Sequence, residues 1–313
     1  MKSPEVITVG ESLVEIMRKG TNLSFLQPGV FLGPYPSGAP AIFISTVATL
    51  GQSAARTGFI SVIGRDDFGT VVTRRLKNDR VDISCVRLED LFTGTAFVRY
   101  YPDGSRKFIF HPGAAALLSP GDVRPAYFKN IRILHITGSS LFISNSSFHA
   151  CEKALKLAEK HNALISFDPN IRPEMAGFAE NVRKVRLFLQ KTGILFITEE
   201  ELAALFGEKE IASAEKEIFG FGVRTIVLKK GRNGSEIICP DGNIKIRPLK
   251  VRVVDPTGAG DTYAGAFIAG FLRKLPIEAC GKFASAAASL KCTRQGPMSI
   301  PSIDEVEKAL KSL

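Results

Sequence analysis

Residues 131–168 read IRILHITGSSLFISNSSFHACEKALKLAEKHNALISFD. Ile131–Thr137 and Ala163–Asp168 are short, β-branched, continuously apolar runs. Strands covered on both faces have this character, because neither set of alternating side chains meets water. Between them, Ser146–His161 is helical in period, with Cys151, Leu155 and Ala158 three or four residues apart. A strand, a helix and a second strand of this type form a unit of a parallel α/β sheet. Working outward, Val6–Gly10, Phe59–Gly64, Gly193–Thr198 and Thr225–Lys229 repeat the strand pattern. Glu199–Phe206, Asp261–Lys274 and Ile277–Cys292 repeat the helical one. The chain is therefore expected to be an α/β protein, a doubly wound, mostly parallel sheet with helices on both faces, folding as one domain over residues 1–313.

Two segments break the rhythm. Thr21–Pro36 is rich in glycine and proline, and in Thr95–Phe110 the runs TAFVRYY and RKFIF flank Pro102-Asp103-Gly104-Ser105. The second alternates as an antiparallel hairpin does. Insertions near residues 12–36 and 93–112 would form a small β-sheet lid or, on the plainer reading, an edge decoration.

With 313 residues, 45% of them apolar and 23% charged, the chain has ample material for a core and is not disordered by composition. The 41 lysines and arginines exceed the 31 acids, giving +10. That excess is a generally basic surface or an attraction for anions such as nucleotides. No block of basic residues and no aromatic-rich basic strand argues for nucleic acid as a partner. Cys85, Cys151, Cys239, Cys280 and Cys292 form no C-x-x-C pair and are odd in number, which suits reduced thiols. The opening MKSPEVITVGES lacks a signal layout, and no apolar run reaches membrane-spanning length, so a cytoplasmic protein without membrane attachment is expected. No P-loop, strict G-x-G-x-x-G, H-E-x-x-H or G-x-S-x-G occurs, and the four histidines lack metal-ligand spacing. Dinucleotide oxidoreduction, zinc hydrolysis and serine hydrolysis all lose their usual support.

The chemistry concentrates in Val253–Gly265, VVDPTGAGDTYAG. A strand-like end passes through proline and small residues into a helix. Gly258, Ala259 and Gly260 allow close backbone approach, and the unpaired N–H groups of a helix start suit a phosphate. Asp261 at that start is either an N-terminal cap favoured by the helix dipole or a base that takes a proton from an attacking hydroxyl. Phosphoryl transfer needs both a cradle for charge and a residue that orients the nucleophile.

The string Asp255–Phe267, DPTGAGDTYAGAF, resembles the carboxy-terminal signature of the ribokinase-like (PfkB) sugar kinases. Ser37-Gly38-Ala39-Pro40-Ala41, Ala48-Thr49-Leu50-Gly51, VIGRDDFG at 62–69 and FDPNIR at 167–172 match further family motifs, in the family's order across nearly the whole chain. GESLVEIMRK with SGAPAIF is most similar to tagatose-kinase-like members, and Arg172 in DPNIR resembles the arginine of fructokinases and 2-keto-3-deoxygluconate kinases. The resemblance implies a doubly wound core with a β-sheet lid, and transfer of the ATP γ-phosphate to a sugar hydroxyl.

It also implies roles. Asp261 would be the base, with the N–H groups of Gly258, Ala259 and Gly260 forming the anion hole. Asp255 and Thr257, with Lys291, Arg294, Gly296 and Ser299 in the turn KCTRQGPMS, would hold a monovalent cation, potassium. Thr198, Lys229, Gly231, Gly234 and Ser285 would contact nucleotide, and Glu201 would hold Mg2+ through water. Thr198 stands where the family has asparagine. Glu15, Gly38, His111 and Arg172 would face the sugar. Ile42 replaces an asparagine that hydrogen-bonds a sugar hydroxyl, and His111 replaces an arginine, which favours a neutral ketohexose over a sugar acid. Lys291 and Arg294 read equally as a solvated helix end, Lys229–Gly234 as a plain turn, and Arg172 as a structural ion pair. A nucleoside or vitamin kinase of the same fold, or a regulator that binds without catalysis, are the competing functions. Apolar lid residues Phe97, Tyr101, Phe108 and Phe110 would pair two copies into a homodimer.

Overall fold

The computed structural model describes residues 3–102, 105–171, 177–207 and 211–311, with only the backbone of residues 211 and 212. Successive residues on its central strands point to opposite faces, and both sets are apolar. Thus Ile7, Leu195 and Ile197 enter one core, while Val6 and Phe196 enter the other. The strands are β1 (Val6–Val9), β4 (Thr57–Gly64), β5 (Asp82–Glu89), β8 (Ile133–Thr137), β9 (Leu164–Asp168), β10 (Ile194–Thr198), β11 (Thr225–Lys229), β12 (Ser235–Cys239) and β13 (Gly242–Ile246). They pair in the order β13-β12-β11-β10-β9-β8-β1-β4-β5. Every pairing from β11 to β5 is parallel, and only β12 and β13 are antiparallel.

Helices α1 (Ala39–Gly51), α2 (Asp67–Asn78), α8 (Ala259–Leu272), α9 (Ile277–Cys292) and α10 (Ile303–Leu310) cover one face. Helices α3 (Gly138–Phe142), α4 (Asn145–Lys160), α5 (Phe178–Leu189), α6 (Glu199–Phe206) and α7 (Ile211–Gly220) cover the other. Helix α4 begins where the Ser144 side chain accepts the Ser147 N–H at 3.0 Å, an N-cap. Helix α8 starts at Ala259, two residues before the expected start, because its glycine-rich approach is itself the first turn. It is apolar almost all round, the mark of a central helix. A Cβ on its Gly265 would come within 2.7 Å of the Phe43 carbonyl, so glycine lets α8 press onto α1.

The lid is a second sheet of four strands in the order β3-β2-β6-β7: β2 (Leu13–Thr21), β3 (Phe31–Ser37), β6 (Gly94–Tyr100) and β7 (Arg106–His111). The two outer pairings are antiparallel and the central one, β2 with β6, is parallel. The hairpin expected at residues 95–110 is β6 and β7, with turn residues 103 and 104 outside the described residues. The insertion expected near residues 12–36 holds β2 and β3, although β2 was not singled out as a strand, because Glu15 and Arg18, both buried, interrupt its apolar run. Among the described residues, no helix is long and apolar enough to cross a membrane. All five cysteines are free.

Candidate active site

Ligands of doubly wound sheets sit beyond the carboxyl ends of the parallel strands. Here Glu11, Asp168, Thr198 and Lys229 stand at or just beyond the ends of β1, β9, β10 and β11. All four line a cavity of about 2070 Å³, which has room for two small ligands end to end.

The start of α8 forms one wall. Gly258 caps the helix at φ 78°, and a Cβ there would stand 2.7 Å from the Pro297 carbonyl, so both conformation and space demand glycine. The Ala259 N–H donates back to the Pro256 carbonyl at 3.2 Å. The expected trio of free amides is thereby altered: Gly258, Gly260 and Asp261 are the N–H groups without a carbonyl partner among the described residues. Asp261 is the third residue of the helix. Burial, reinforced by the Asp168 carboxylate and opposed by Lys229, raises its pKa to about 7 in spite of the helix dipole.

Lys229 is the counter-charge. Its Nζ lies 2.5 Å from Asp168 Oδ2 and 3.6 Å from where a Cβ on Gly260 would stand. Burial alone would lower its pKa, but Asp168 and Glu201 outweigh it and hold the ammonium charged well above the usual range. Glu201 closes a capping box on α6: its Oε2 accepts the Thr198 N–H at 2.8 Å, and Thr198 Oγ1 accepts the Glu201 N–H at 3.1 Å. Thr198 thus acts as a helix cap as well as a cavity residue. Burial and then Asp168 raise the Glu201 pKa. Gly231, Gly234 and Ser285 line the same end of the cavity, with the Ser285 hydroxyl donating to the Arg247 carbonyl at 3.1 Å.

At the other end, Glu15 projects from β2. Its Oε1 accepts the Ser37 hydroxyl at 2.7 Å, and its buried Oε2 has no partner. Burial, eased by the Ser37 bond and by Arg106, brings its pKa to about 7. Gly38 lies beneath at φ 111°, with Ile42 beside it, and a Cβ on Gly38 would meet the Glu11 carbonyl at 2.7 Å. Glu11 accepts the hydroxyls of Ser139 and Ser140 at 2.7 and 2.8 Å.

His111 is not among the cavity residues. It ends β7 with its Nδ1 accepting the Gly113 N–H at 3.2 Å, while Arg106, Lys107, Phe108 and Phe110 of that strand line the cavity. Arg172 lies outside the described residues. Asp168, Glu11 and Arg106 were missed as site residues. The polar residue following each apolar strand was the available signal for the first two; Arg106 carried none.

The expected cation pocket is partly assembled. Asp255 is fully buried, with Oδ1 accepting the Tyr100 hydroxyl and the Thr257 N–H, both at 2.9 Å, and Oδ2 accepting the Gly296 N–H at 2.9 Å. Lys291 is buried beside it, and Ser299 Oγ donates to the Gly296 carbonyl at 2.7 Å. Arg294 instead turns outward to pair with Glu305, its side chain 38% exposed, so it is the solvated helix end.

A carboxylate, a lysine and a glycine-rich helix start, gathered at the strand ends of a doubly wound sheet, define a phosphotransferase. Residues 33–304 match the model of the pfkB family carbohydrate kinases, and the chain belongs to that family. It is 29% identical to fructokinase-1 of Oryza sativa subsp. japonica, over 99% of each chain. It is 29% identical to 2-dehydro-3-deoxygluconokinase of Thermoproteus tenax, over 98% of this chain and 94% of that one. An E. coli protein assigned as a ribokinase II, solved with ATP and Mg2+, superposes with a TM-score of 0.92 at 36% identity over 99% of each chain.

Proposed function

We propose that this carbohydrate kinase transfers the γ-phosphate of ATP to a hydroxyl of a ketohexose of the tagatose or fructose type, with a 2-keto-3-deoxy sugar acid as the competing acceptor. The observation that carries the proposal is the meeting, in one cavity, of Asp261 at an amide-lined helix start with the Lys229 ammonium. Asp261 takes the proton as the sugar oxygen bonds to the γ-phosphorus and the bond to the β-phosphate oxygen breaks; ADP leaves and the proton stays on the carboxyl group. The N–H groups of Gly258, Gly260 and Asp261, with Lys229, stabilise the charge of the phosphoryl group in flight.

The described residues contain no cluster of three acids, histidines or cysteines able to hold a metal alone. That suits Mg2+, which keeps waters and binds through one or two carboxylates together with substrate phosphates. Glu201 and Asp168 are the carboxylates that would hold it, and it would neutralise phosphate charge. The E. coli relative, solved with ATP and Mg2+, supports this donor.

The preference for a neutral ketose rests on the sugar end. Glu11 and Glu15 line it, and the unpartnered Oε2 of Glu15 would accept a sugar hydroxyl but repel a sugar carboxylate. Arg106 and Lys107 of β7 are the positive counterweights from the lid among the described cavity residues. The fructokinase and the 2-dehydro-3-deoxygluconokinase relatives support the two acceptors equally. The test is kcat/KM for tagatose, fructose and 2-keto-3-deoxygluconate. A tenfold preference for the acid, about 1.4 kcal/mol, would overturn the ketose reading. ATP binding without turnover of any sugar would favour the regulator.

We also infer a cytoplasmic homodimer joined through the lid, where Ile109 and Phe110 of β7 are about half exposed and Phe31 and Phe97 pack edge to face.

A further inference from the structure

Lys291 lies in the last turn of α9 and is completely buried. Its Nζ donates to the backbone carbonyl of Asp255 at 2.8 Å and stands 4.0 Å from Asp255 Oδ2. The same helix end takes the N–H groups of Val254 and Asp255 on the Cys292 carbonyl, at 2.8 and 3.1 Å. The chain then runs through Pro256 and Thr257 into Gly258 and the first turn of α8. One turn of α9 therefore grips the backbone immediately before the amides and carboxylate assigned to catalysis.

A buried ammonium is retained only against an anion and hydrogen-bond acceptors. Lys291 has both in Asp255. Asp255 in turn has its carboxylate oxygens taken by Tyr100, Thr257 and Gly296, and its carbonyl taken by the ammonium. A metal cation entering here would compete for that carbonyl and meet a positive charge in a poorly screened interior.

We propose that the Lys291 ammonium is the resident cation of this pocket, a positioning group that ties Asp255 to α9 and so fixes the start of α8, and that the enzyme needs no monovalent metal ion there. The proposal rests on the reading of Gly258–Asp261 as the phosphoryl-transfer loop. The resemblance puts potassium among Asp255, Thr257, Lys291, Arg294, Gly296 and Ser299; in this chain the Lys291 side chain itself supplies the charge.

The test replaces potassium chloride with tetramethylammonium chloride at equal ionic strength and reads both kcat and Tm. The unmodified enzyme should change less than twofold in kcat and less than about one degree in Tm. Lys291→Ala, which removes the ammonium and opens space, should lose at least tenfold in kcat and several degrees in Tm without potassium, and recover most of both with it. Lys291→Met, which keeps the bulk without the charge, should be impaired in either salt. A rise of the unmodified enzyme's Tm or kcat with potassium would overturn the proposal. So would an alanine variant that potassium does not restore, or a methionine variant that behaves as the unmodified enzyme does. If neither variant folds, the response of the unmodified enzyme decides. The Tm measurement needs no sugar, so an error in the substrate reading would leave it intact.

Discussion

Replacing Asp261 by Asn separates two roles that a carboxylate at a helix start can have. A cap that only serves the helix gains about 0.3–1 kcal/mol from the dipole, and its loss destabilises the protein. Asp261 behaves otherwise: burial raises its pKa from 3.8 to about 7, in the direction opposite to the dipole. A rise of that size corresponds to roughly 4 kcal/mol at about 1.36 kcal/mol per unit. The sign follows from linkage. The folded state holds the proton more tightly than the unfolded chain, so this group's contribution to stability is complete below about pH 4 and is lost as pH rises through about 7. The side chain keeps some contact with cavity water, and Lys229 loses a favourable neighbour in the variant. The net gain expected for Asp261→Asn at pH 8 is therefore about 1–2 kcal/mol, a Tm higher by a few degrees. It should shrink toward pH 5. Over the same comparison kcat should fall by a factor on the order of a hundred or more, about 2.7 kcal/mol, with ATP and sugar affinities largely kept. Turnover followed by ADP release and Tm by calorimetry, each at pH 5 and pH 8, measure the two effects. Retention of most of kcat would refute the base, and a lower Tm at pH 8 would return Asp261 to the role of a cap.

The same pKa predicts that kcat/KM declines as pH falls through about 7, since the base acts deprotonated and Glu15, also raised to about 7, loses its charge in the same range; a profile flat from pH 5.5 to 8.5 would contradict this. Lys229→Met should raise KM for ATP and lower Tm, because it leaves the Asp168 and Glu201 carboxylates without their buried counter-ion, a loss of about 3–5 kcal/mol for a broken buried pair. Titration with ATP and a urea melt measure the two, and an unchanged melt would show that the carboxylates find another partner.

The parallel core was legible because buried strands are continuously apolar and the helices between them keep a clean period. Glu199–Phe206 and Ile277–Cys292 match to the residue. The glycine-rich helix start that carries Asp261 was legible because its spacing is local. What escaped reading depends on partners far apart in the chain. Strand β2 is hidden by Glu15, whose charge makes sense only beside Ser37 and the cavity. His111 was assigned by position, whereas its ring is engaged by the Gly113 N–H and Arg106, Lys107, Phe108 and Phe110 are the β7 residues that line the cavity. The pairing of Lys291 with Asp255 spans 36 residues and has no sequence signature.

The close contact of α8 with α1 at Gly265 has a consequence for how such an enzyme changes over time. A helix held backbone against backbone leaves no slack, so the reacting end of the protein is in effect an anvil, fixed in place and intolerant of substitution. The lid, by contrast, presents its cavity residues from a separate four-stranded sheet. Acceptor choice can therefore drift by exchange of a few lid side chains while the machinery for moving a phosphoryl group stays as it is, and one architecture can serve sugars of many shapes.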